Sequence, residues 1–216
     1  RVITVATEHS SVIASVEALR LEGFKTDILP VESSGLVDLE RLRSAVTDDT
    51  VLVSVMAANN EIGTLQPLGD IAEICRSVGA LFHSDAAQIT GKVDFDVRDI
   101  GIDIASITGH KMHGPKGIGA MFVRKGRPRI RLTSLIHGGG QERGFRSGTL
   151  APHQIAGLGA SAKFAKEGLL SGEPGQLASL RDRLFEIVGS VDGVTVNGTM
   201  SDRLPNNLNI NVSDID

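Results

Sequence analysis

A chain of 216 residues with 41% apolar side chains is long enough to bury a large core. Its one cysteine, Cys75, excludes an internal disulfide framework and fits a reducing compartment. The net charge of −4 argues against nucleic acid as the main partner, and no apolar run approaches the length of a membrane span. With no recognisable signal peptide at its start, we expect a cytoplasmic protein with no membrane or nucleic-acid partner.

Strands and helices alternate through the first half of the chain. Short apolar runs predict strands at residues 2–6, 25–30, 50–56, 80–84 and 104–107. Helical spacing between them predicts helices at residues 9–21, 38–45 and 67–79, the last one closed by Gly79. This alternation indicates an α/β fold with a mostly parallel sheet.

The second half of the chain suggests a change of domain. After a strand at residues 118–123, a helix is predicted at residues 152–170 with Ile155, Leu158 and Phe164 facing inward. A linker is predicted at residues 171–175, followed by a helix at residues 177–188 and strands at residues 194–196 and 207–212. We therefore expect a large domain at residues 1–170 and the start of a small C-terminal α+β domain at residues 171–216.

A lysine stands in the loop after the last buried run of the first half. The run at residues 104–107 leads through Thr108 to His110 and Lys111, and then into a glycine-rich turn around Pro115. A buried lysine is costly to desolvate, and its amine pKa falls readily, which suits a Schiff-base nucleophile. The alternative is a loop lysine with its ammonium in water.

An aspartate ends another apolar run, 26 residues before Lys111. A lysine Schiff base together with a carboxylate on the pyridinium nitrogen is the minimal protein contribution to pyridoxal phosphate chemistry. Asp85 alone fits a helix N-cap equally well. Ligands of such sheets bind at the carboxyl ends of strands, where both residues are predicted to lie, so we expect them to converge in a site.

Five motifs, in order along the chain, resemble those of the cysteine desulfurases, fold-type I pyridoxal phosphate enzymes that supply sulfur for iron–sulfur clusters and nitrogenase. They are Glu-His-Ser-Ser-Val at 8–12, Ala-Asn-Asn-Glu-Ile-Gly at 58–63, His-Ser-Asp-Ala-Ala-Gln at 83–88, Ser-Ile-Thr-Gly-His-Lys at 106–111, and Gly-Gly-Gly-Gln-Glu-Arg at 138–143 with Arg-Ser-Gly-Thr at 146–149. The resemblance implies the three-layer transferase fold of this class and pyridoxal 5'-phosphate as cofactor. It also implies conversion of L-cysteine to L-alanine, with sulfur passed as a persulfide to a scaffold protein.

The resemblance assigns the chemical roles to three residues. Lys111 would hold the cofactor as a Schiff base and then shuttle protons, and Asp85 would keep the ring nitrogen protonated. His9 would stack on the ring and assist proton transfer, which suits an imidazole. The alternative for His9 is a structural residue at a helix N-terminus.

The resemblance assigns cofactor contacts to five further residues. Asn60 and Gln88 would bind the phenolic oxygen of the cofactor, and Thr108 and His110 would bind its phosphate. Thr149 would reach the phosphate in the partner subunit of a homodimer, which makes the site composite. Each has a structural alternative: a turn for Asn60, a surface residue for Gln88, a strand-end turn for Thr108, a cap for His110 and a helix entry for Thr149.

Several parts of the family's machinery are missing from this chain. The catalytic cysteine and the arginine for the substrate carboxylate would follow residue 216, and a phosphate loop would precede Arg1. Cys75 cannot replace the catalytic cysteine, because it is predicted as a core residue of the helix at residues 67–79. We therefore expect a fragment of a longer enzyme, with the fragment itself inactive.

Other functions remain open at this point. The parent enzyme could be a selenocysteine lyase or another aminotransferase-class enzyme, and the chain could be a cofactor-binding or partner-binding core without chemistry of its own. The basic run at residues 124–131 predicts either a solvated hairpin face or a docking surface for the sulfur acceptor. The histidines show no metal-ligand spacing, so we expect no metal site.

Overall fold

A six-stranded sheet forms the centre of the structure, a computed structural model that describes residues 1–126 and 128–213. Its strands are β1 (Val2–Val5), β2 (Thr26–Leu29), β3 (Leu52–Ser54), β4 (Leu81–Asp85), β5 (Ile104–Thr108) and β6 (Gly119–Val123). They lie in the order β2-β1-β3-β4-β5-β6, and the first five strands are parallel. β6 runs antiparallel to β5 at one edge. The prediction of a mostly parallel α/β sheet is confirmed.

The helices begin and end close to where the sequence places them. They are α1 (Ser10–Leu21), α2 (Leu39–Ala45), α3 (Leu68–Val78), α4 (Val97–Ile100), α5 (Pro152–Leu170) and α6 (Glu173–Val188). The Asp38 side chain caps α2 by accepting a hydrogen bond from the Arg41 N–H at 2.9 Å. Gly79 ends α3 with a φ of 77°, a left-handed conformation that costs glycine little. None of the helices in the described ranges is long and apolar enough to cross a membrane.

The core lies where the parallel strands meet the helices. All four residues of β1 are buried, as expected for a strand covered on both faces. Phe82 of β4 is the largest fully buried side chain, and it packs in one cluster with residues of β1, β3 and α3. Cys75 of α3 belongs to the same cluster, so its predicted core position is confirmed.

We expect Phe82→Ala to lower the free energy of unfolding by about 3–5 kcal/mol, because it removes buried apolar area and leaves a cavity. Urea unfolding followed by circular dichroism measures this change. Phe24→Ala is the matched control, since Phe24 is half exposed, and it is expected to cost less than about 1 kcal/mol. Equal losses in the two variants would contradict this placement of the core.

Two of the predicted segments, one in each half of the chain, are wrong. The linker predicted at residues 171–175 is only a two-residue turn, because α6 begins at Glu173. Pro174 lies in the first turn of α6, where its missing N–H would have had no helical partner, and Gly172 makes the turn with a φ of 81°. The proline and the glycine therefore mark a helix start. The strand predicted at residues 50–56 is also shorter, at Leu52–Ser54.

The inward face predicted for α5 is also wrong. Phe164 is 69% exposed and Ile155 is 40% exposed. The buried face of α5 instead carries small residues, because it packs against the glycine-rich turn that follows β5. A Cβ on Gly157 would lie 2.5 Å from Pro115, and Ser161 is buried.

The last strands form a small second sheet. β7 (Val194–Val196) pairs antiparallel with β8 (Ile210–Val212). The segment between them returns to the main body, where Leu204 is buried in the main core. The domain boundary near residue 170 stays a prediction.

Candidate functional site

The carboxyl ends of β1, β3, β4 and β5 lie along one edge of the sheet, because these strands are adjacent and parallel. The connections after them stay joined by backbone hydrogen bonds. Ala57 N–H donates to Asp85 O at 2.9 Å, and Ala86 N–H donates to Ser106 O at 2.9 Å. Predicted site residues follow each of these four strands, so the sheet brings them to the same edge.

Lys111 lies in a 3-10 turn, Gly109–Met112, directly after β5. The turn is held by a hydrogen bond from Gly114 N–H to Gly109 O at 2.9 Å. It packs closely on α5, since a Cβ on Gly114 would lie 2.7 Å from Ser161 Oγ. Lys111 itself is exposed, which corresponds to the alternative that the sequence left open. The glycines therefore fix the position of the turn while the lysine side chain stays accessible.

A cavity of about 620 Å³ opens beside Lys111. Lys92, His113 and Phe164 also line it. Burial lowers the pKa of Lys92, and the charge of Lys111 lowers it further. Two lysines in one cavity attract an anion such as a phosphate or carboxylate group, although Glu173, which also lines the cavity, opposes this attraction.

Lys92 is a residue that the sequence analysis missed. Its Nζ donates a hydrogen bond to Gln88 Oε1 at 3.1 Å, so it links a predicted site residue to the cavity beside Lys111. The spacing of four residues between Gln88 and Lys92 was visible in the sequence. Nothing in the sequence indicated, however, that the turn after β4 would bring Lys92 to the cavity beside Lys111. A second cavity, of about 520 Å³ beside α2, contains none of the predicted site residues.

Asp85 is the last residue of β4 and is half-buried. Its Oδ1 accepts a hydrogen bond from the Ala87 N–H at 2.9 Å, which fixes one oxygen of the carboxylate. The other oxygen, Oδ2, has no hydrogen bond to any residue that the structure describes, so it is free to accept one from a ligand.

His83, two residues before Asp85, connects three strands. Its Nδ1 lies 2.8 Å from Ser54 Oγ of β3, and its Nε2 lies 2.9 Å from Ser106 Oγ of β5. Burial lowers the pKa of His83, although the charge of Asp85 opposes this effect. A neutral imidazole between two hydroxyl groups is fully hydrogen-bonded, so His83 has a structural role. No group of metal-ligating side chains occurs in the described part of the chain.

Two predicted phosphate ligands contact each other. Thr108 Oγ1 lies 2.9 Å from His110 Nδ1, and among the described residues this is the one hydrogen bond between the side chains of two of the eight predicted site residues. Thr108 is the last residue of β5, and His110 lies directly before Lys111 in the turn that follows. Their hydroxyl and imidazole groups can both donate to an anion.

His9 caps α1, which is the structural role that the sequence left open. Its Nδ1 accepts a hydrogen bond from the Ser11 N–H at 3.2 Å and lies 2.8 Å from Ser11 Oγ. The ring is exposed, so it remains free to contact a ligand.

Asn60 and Thr149 make no side-chain hydrogen bond within the described ranges, and both are exposed. Asn60 follows Asn59, a buried side chain whose Oδ1 accepts hydrogen bonds from the Glu61 and Ile62 N–H groups at 2.9 Å each. Thr149 lies just before α5 and follows no strand of the main sheet. The structure therefore groups seven of the predicted site residues at the strand ends and leaves Thr149 apart.

The turn that carries Asn60 is held from the C-terminal segment. Asn207 Nδ2 and Asn209 Nδ2 both donate hydrogen bonds to Glu61 O, at 3.0 and 3.1 Å. Arg203 Nη1 in turn donates to Asn207 Oδ1 at 3.0 Å. A Cβ on Gly63 would lie 2.5 Å from Asn207, so this contact requires glycine.

We expect Asn207→Ala to raise the amide hydrogen-exchange rate of residues 60–63 about fivefold to tenfold, since it removes hydrogen bonds worth about 1 kcal/mol net. Exchange followed by mass spectrometry measures this change. Asn211→Ala is the matched control, because Asn211 bonds to Asn197 and not to the turn. Equal exchange in both variants would contradict the role of Asn207.

Known proteins share the sequence and the fold of this chain. The family model for aminotransferase class V matches residues 1–216. The chain belongs to this family. It is 49% identical over 209 residues to cysteine desulfurase IscS of Vibrio atlanticus (strain LGP32). The aligned region is 97% of this chain and 51% of that protein. The class-V chain thus spans about half the length of the curated relatives it matches.

Solved structures agree with the sequence relatives. A NifS-like protein superposes with a TM-score of 0.92 at 39% identity and covers all of this chain and 58% of its own. SspA in complex with cysteine superposes with a TM-score of 0.84 at 34% identity, over 98% of this chain and 58% of its own. The predicted fold class and the predicted resemblance to cysteine desulfurases are therefore confirmed.

Proposed function

We propose that the whole protein is a pyridoxal 5'-phosphate-dependent cysteine desulfurase, which converts L-cysteine to L-alanine and passes sulfur as a persulfide to an acceptor for iron–sulfur cluster assembly. The observation that carries this proposal is the position of Asp85 and Lys111 at the carboxyl ends of the adjacent strands β4 and β5. The names of the relatives and the cysteine complex of SspA support the same activity and substrate.

The donor set at the strand ends fits this cofactor. Lys111 provides an accessible amine for the aldehyde carbon, and Asp85 provides a carboxylate with one free oxygen for the ring nitrogen. Thr108 and His110 provide donors for the phosphate, and Asn60 and Gln88 provide amides for the phenolic oxygen. When bound, pyridoxal phosphate supplies an electron sink for the carbanion that a substrate forms when it loses its α-proton.

The protein groups divide the remaining work among them. The Lys111 amine would accept the α-proton of cysteine. The Asp85 carboxylate would hold a proton at the ring nitrogen, because a negative charge there favours the protonated ring. The exposed imidazole of His9 would contact the ring and move a proton to or from the substrate.

The persulfide step requires a thiolate that this chain does not provide. Cys75 is its one cysteine and lies in the core, where burial raises the pKa of the thiol to about 12. A thiol with that pKa stays protonated and is a poor nucleophile. We therefore propose that another part of the whole protein carries the catalytic thiol and that the 216-residue chain alone is inactive.

The test is to incubate the whole protein with L-cysteine and to measure alanine, sulfide and the persulfide-bearing peptide. We expect one alanine per sulfur released, a persulfide outside residues 1–216, and no turnover by the 216-residue chain. Cys75→Ser is the control and should leave turnover unchanged. Turnover of selenocysteine with none of cysteine would favour the lyase alternative, and no turnover of either would favour a non-catalytic core.

We further propose a homodimer in which Thr149 of one subunit binds the phosphate held by the other. Thr149 is exposed and lies on a segment with exposed apolar side chains, among them Leu135 at 93% exposure. Mixing a Lys111→Ala subunit with a Thr149→Ala subunit tests this. If each site uses residues of both subunits, one site of the mixed dimer carries both substitutions and the other site carries neither. Activity restored by mixing supports the proposal, and no restoration contradicts it.

We propose that the sulfur acceptor docks on the basic run at residues 124–131. We also propose that the protein acts in the cytoplasm. Lys125, Arg129 and Arg131 are exposed, whereas Arg124 is held by Asp103, and Arg127 lies outside the described residues. Charge reversal of Arg129 and Arg131 is expected to weaken binding of an acidic scaffold protein. Unchanged binding would favour the solvated-face alternative.

A further inference from the structure

Glu8 is a buried carboxyl group to which the proposed reaction gives no role. It lies between β1 and α1, and only 8% of its surface is exposed. Its Oε1 accepts a hydrogen bond from the backbone N–H of Met56, just beyond β3. Its Oε2 is buried and has no hydrogen-bond partner in residues 1–126 and 128–213. A carboxylate oxygen in this state is costly, so a proton on Oε2 is favoured.

The backbone places Glu8 next to Asp85. Met56 N–H reaches Glu8, which comes from the β1 side. The next residue, Ala57, donates its N–H to Asp85 O at 2.9 Å, on the β4 side. Glu8 and Asp85 therefore approach the same short stretch of backbone from its two sides.

A buried carboxyl group ionises reluctantly, and a second carboxyl group near it adds to this effect. Burial raises the pKa of Glu8 to about 8, and the charge of Asp85 adds to this effect, although the Met56 N–H opposes it. Asp85 is only half-buried and accepts the Ala87 N–H, so it is the better solvated of the two groups. Burial therefore favours a proton on Glu8 at neutral pH.

Asp85 is the charged group that acts on Glu8. From the β4 side the titratable group is Asp85, and from the β3 side the Met56 N–H donates to Glu8. On its own segment, the neighbouring His9 bonds to Ser11 and is exposed. A change in the charge of Glu8 therefore acts first on Asp85.

We propose that Glu8 is a positioning residue for Asp85: as a neutral acid it fills the buried space beside Asp85 and leaves Asp85 as the single negative charge at this corner. The role of Glu8 in the reaction rests on the proposed function, in which Asp85 binds the ring nitrogen of the cofactor. The charge arrangement itself does not depend on any cofactor.

The first test follows the thermal stability of the whole protein, without cofactor, between pH 6 and pH 9. Because the pKa of Glu8 is raised on folding from 4.5 to about 8, Glu8 stabilises the fold fully below pH 4.5 and this contribution is lost as pH rises to about 8. Glu8→Gln stays neutral at every pH. We expect the Tm of the wild type to fall about 5 °C more than that of Glu8→Gln across this range. Identical slopes would overturn the proposal.

The second test links Glu8 to Asp85. The infrared spectrum of the same cofactor-free protein should show a neutral carboxyl band that disappears with a midpoint near pH 8 and is absent in Glu8→Gln. Asp85→Asn removes the neighbouring charge, so the midpoint should move to lower pH. An unchanged midpoint would overturn the coupling. A band at this pH with no turnover of L-cysteine would contradict the proposed function and leave the Glu8 arrangement intact.

The third test compares a neutral side chain of the same size with a truncated one. In the loaded enzyme, Glu8→Gln keeps a neutral side chain of this size and should retain turnover within about threefold, whereas Glu8→Ala should lower it about tenfold. Equal losses in the two variants would show that a neutral side chain of this size is not what matters, and would overturn the proposal.

Discussion

Lys111→Ala is expected to abolish covalent attachment of the cofactor and to lower L-cysteine turnover of the whole protein by at least about 10³-fold, because it removes both the nucleophile and the proton acceptor. The structure makes this residue accessible at the end of β5, in a turn that glycines hold against α5. The absorption band of the lysine-bound cofactor, recorded with steady-state alanine production, measures both effects.

Lys92→Ala is the matched control for this prediction. Lys92 lines the same cavity and carries the same charge, but it is engaged by Gln88. We expect it to keep the absorption band and to weaken cofactor affinity modestly, since one cation that lines the cavity beside Lys111 is lost. Loss of the band in Lys92→Ala, with the band kept in Lys111→Ala, would show that the roles of the two lysines are reversed.

Asp85→Asn is expected to lower turnover of the whole protein by roughly 10²–10³-fold, the usual loss when a charge that stabilises the transition state is removed. An amide cannot hold the ring nitrogen in its protonated form, so the cofactor loses most of its capacity to accept electrons. The amide still accepts the Ala87 N–H, so the fold is retained. Turnover and cofactor binding measured together show the effect, with binding expected to fall much less than turnover.

Asp85→Glu is the companion variant. It keeps the charge at a changed distance and is expected to recover part of the turnover lost in Asp85→Asn. If Asp85→Asn turned over L-cysteine at the wild-type rate, then Asp85 would be a structural cap of the turn after β4 and not a ligand of the ring nitrogen.

The positions of the strands and of the residues after them were predictable because parallel strands read as short apolar runs. Asp85, Thr108 and Lys111 follow such runs directly, and the adjacency of β4 and β5 brings them to one edge. Their roles were suggested by the motifs around them and stay predictions. The end of α3 at Gly79 was predictable for a similar reason, since glycine marks the left-handed residue at a helix end.

The features that could not be predicted depend on contacts between distant segments. Glu8 reads as a favourable charge at a helix start, and only the approach of β3 and β4 makes it a buried neutral acid. Lys92 reads as a surface residue until the turn after β4 brings it beside Lys111. Phe164 is exposed because the face of α5 with small residues packs on the glycine-rich turn after β5. The helical spacing of apolar residues does not reveal this packing.

The most direct test of the cofactor site is borohydride reduction of the wild-type whole protein after addition of pyridoxal 5'-phosphate, followed by peptide mass mapping. We expect one pyridoxyl adduct, on the peptide that contains Lys111. An adduct on another lysine of the loaded and folded protein, or none at all, would contradict the assignment of this strand end as the cofactor site.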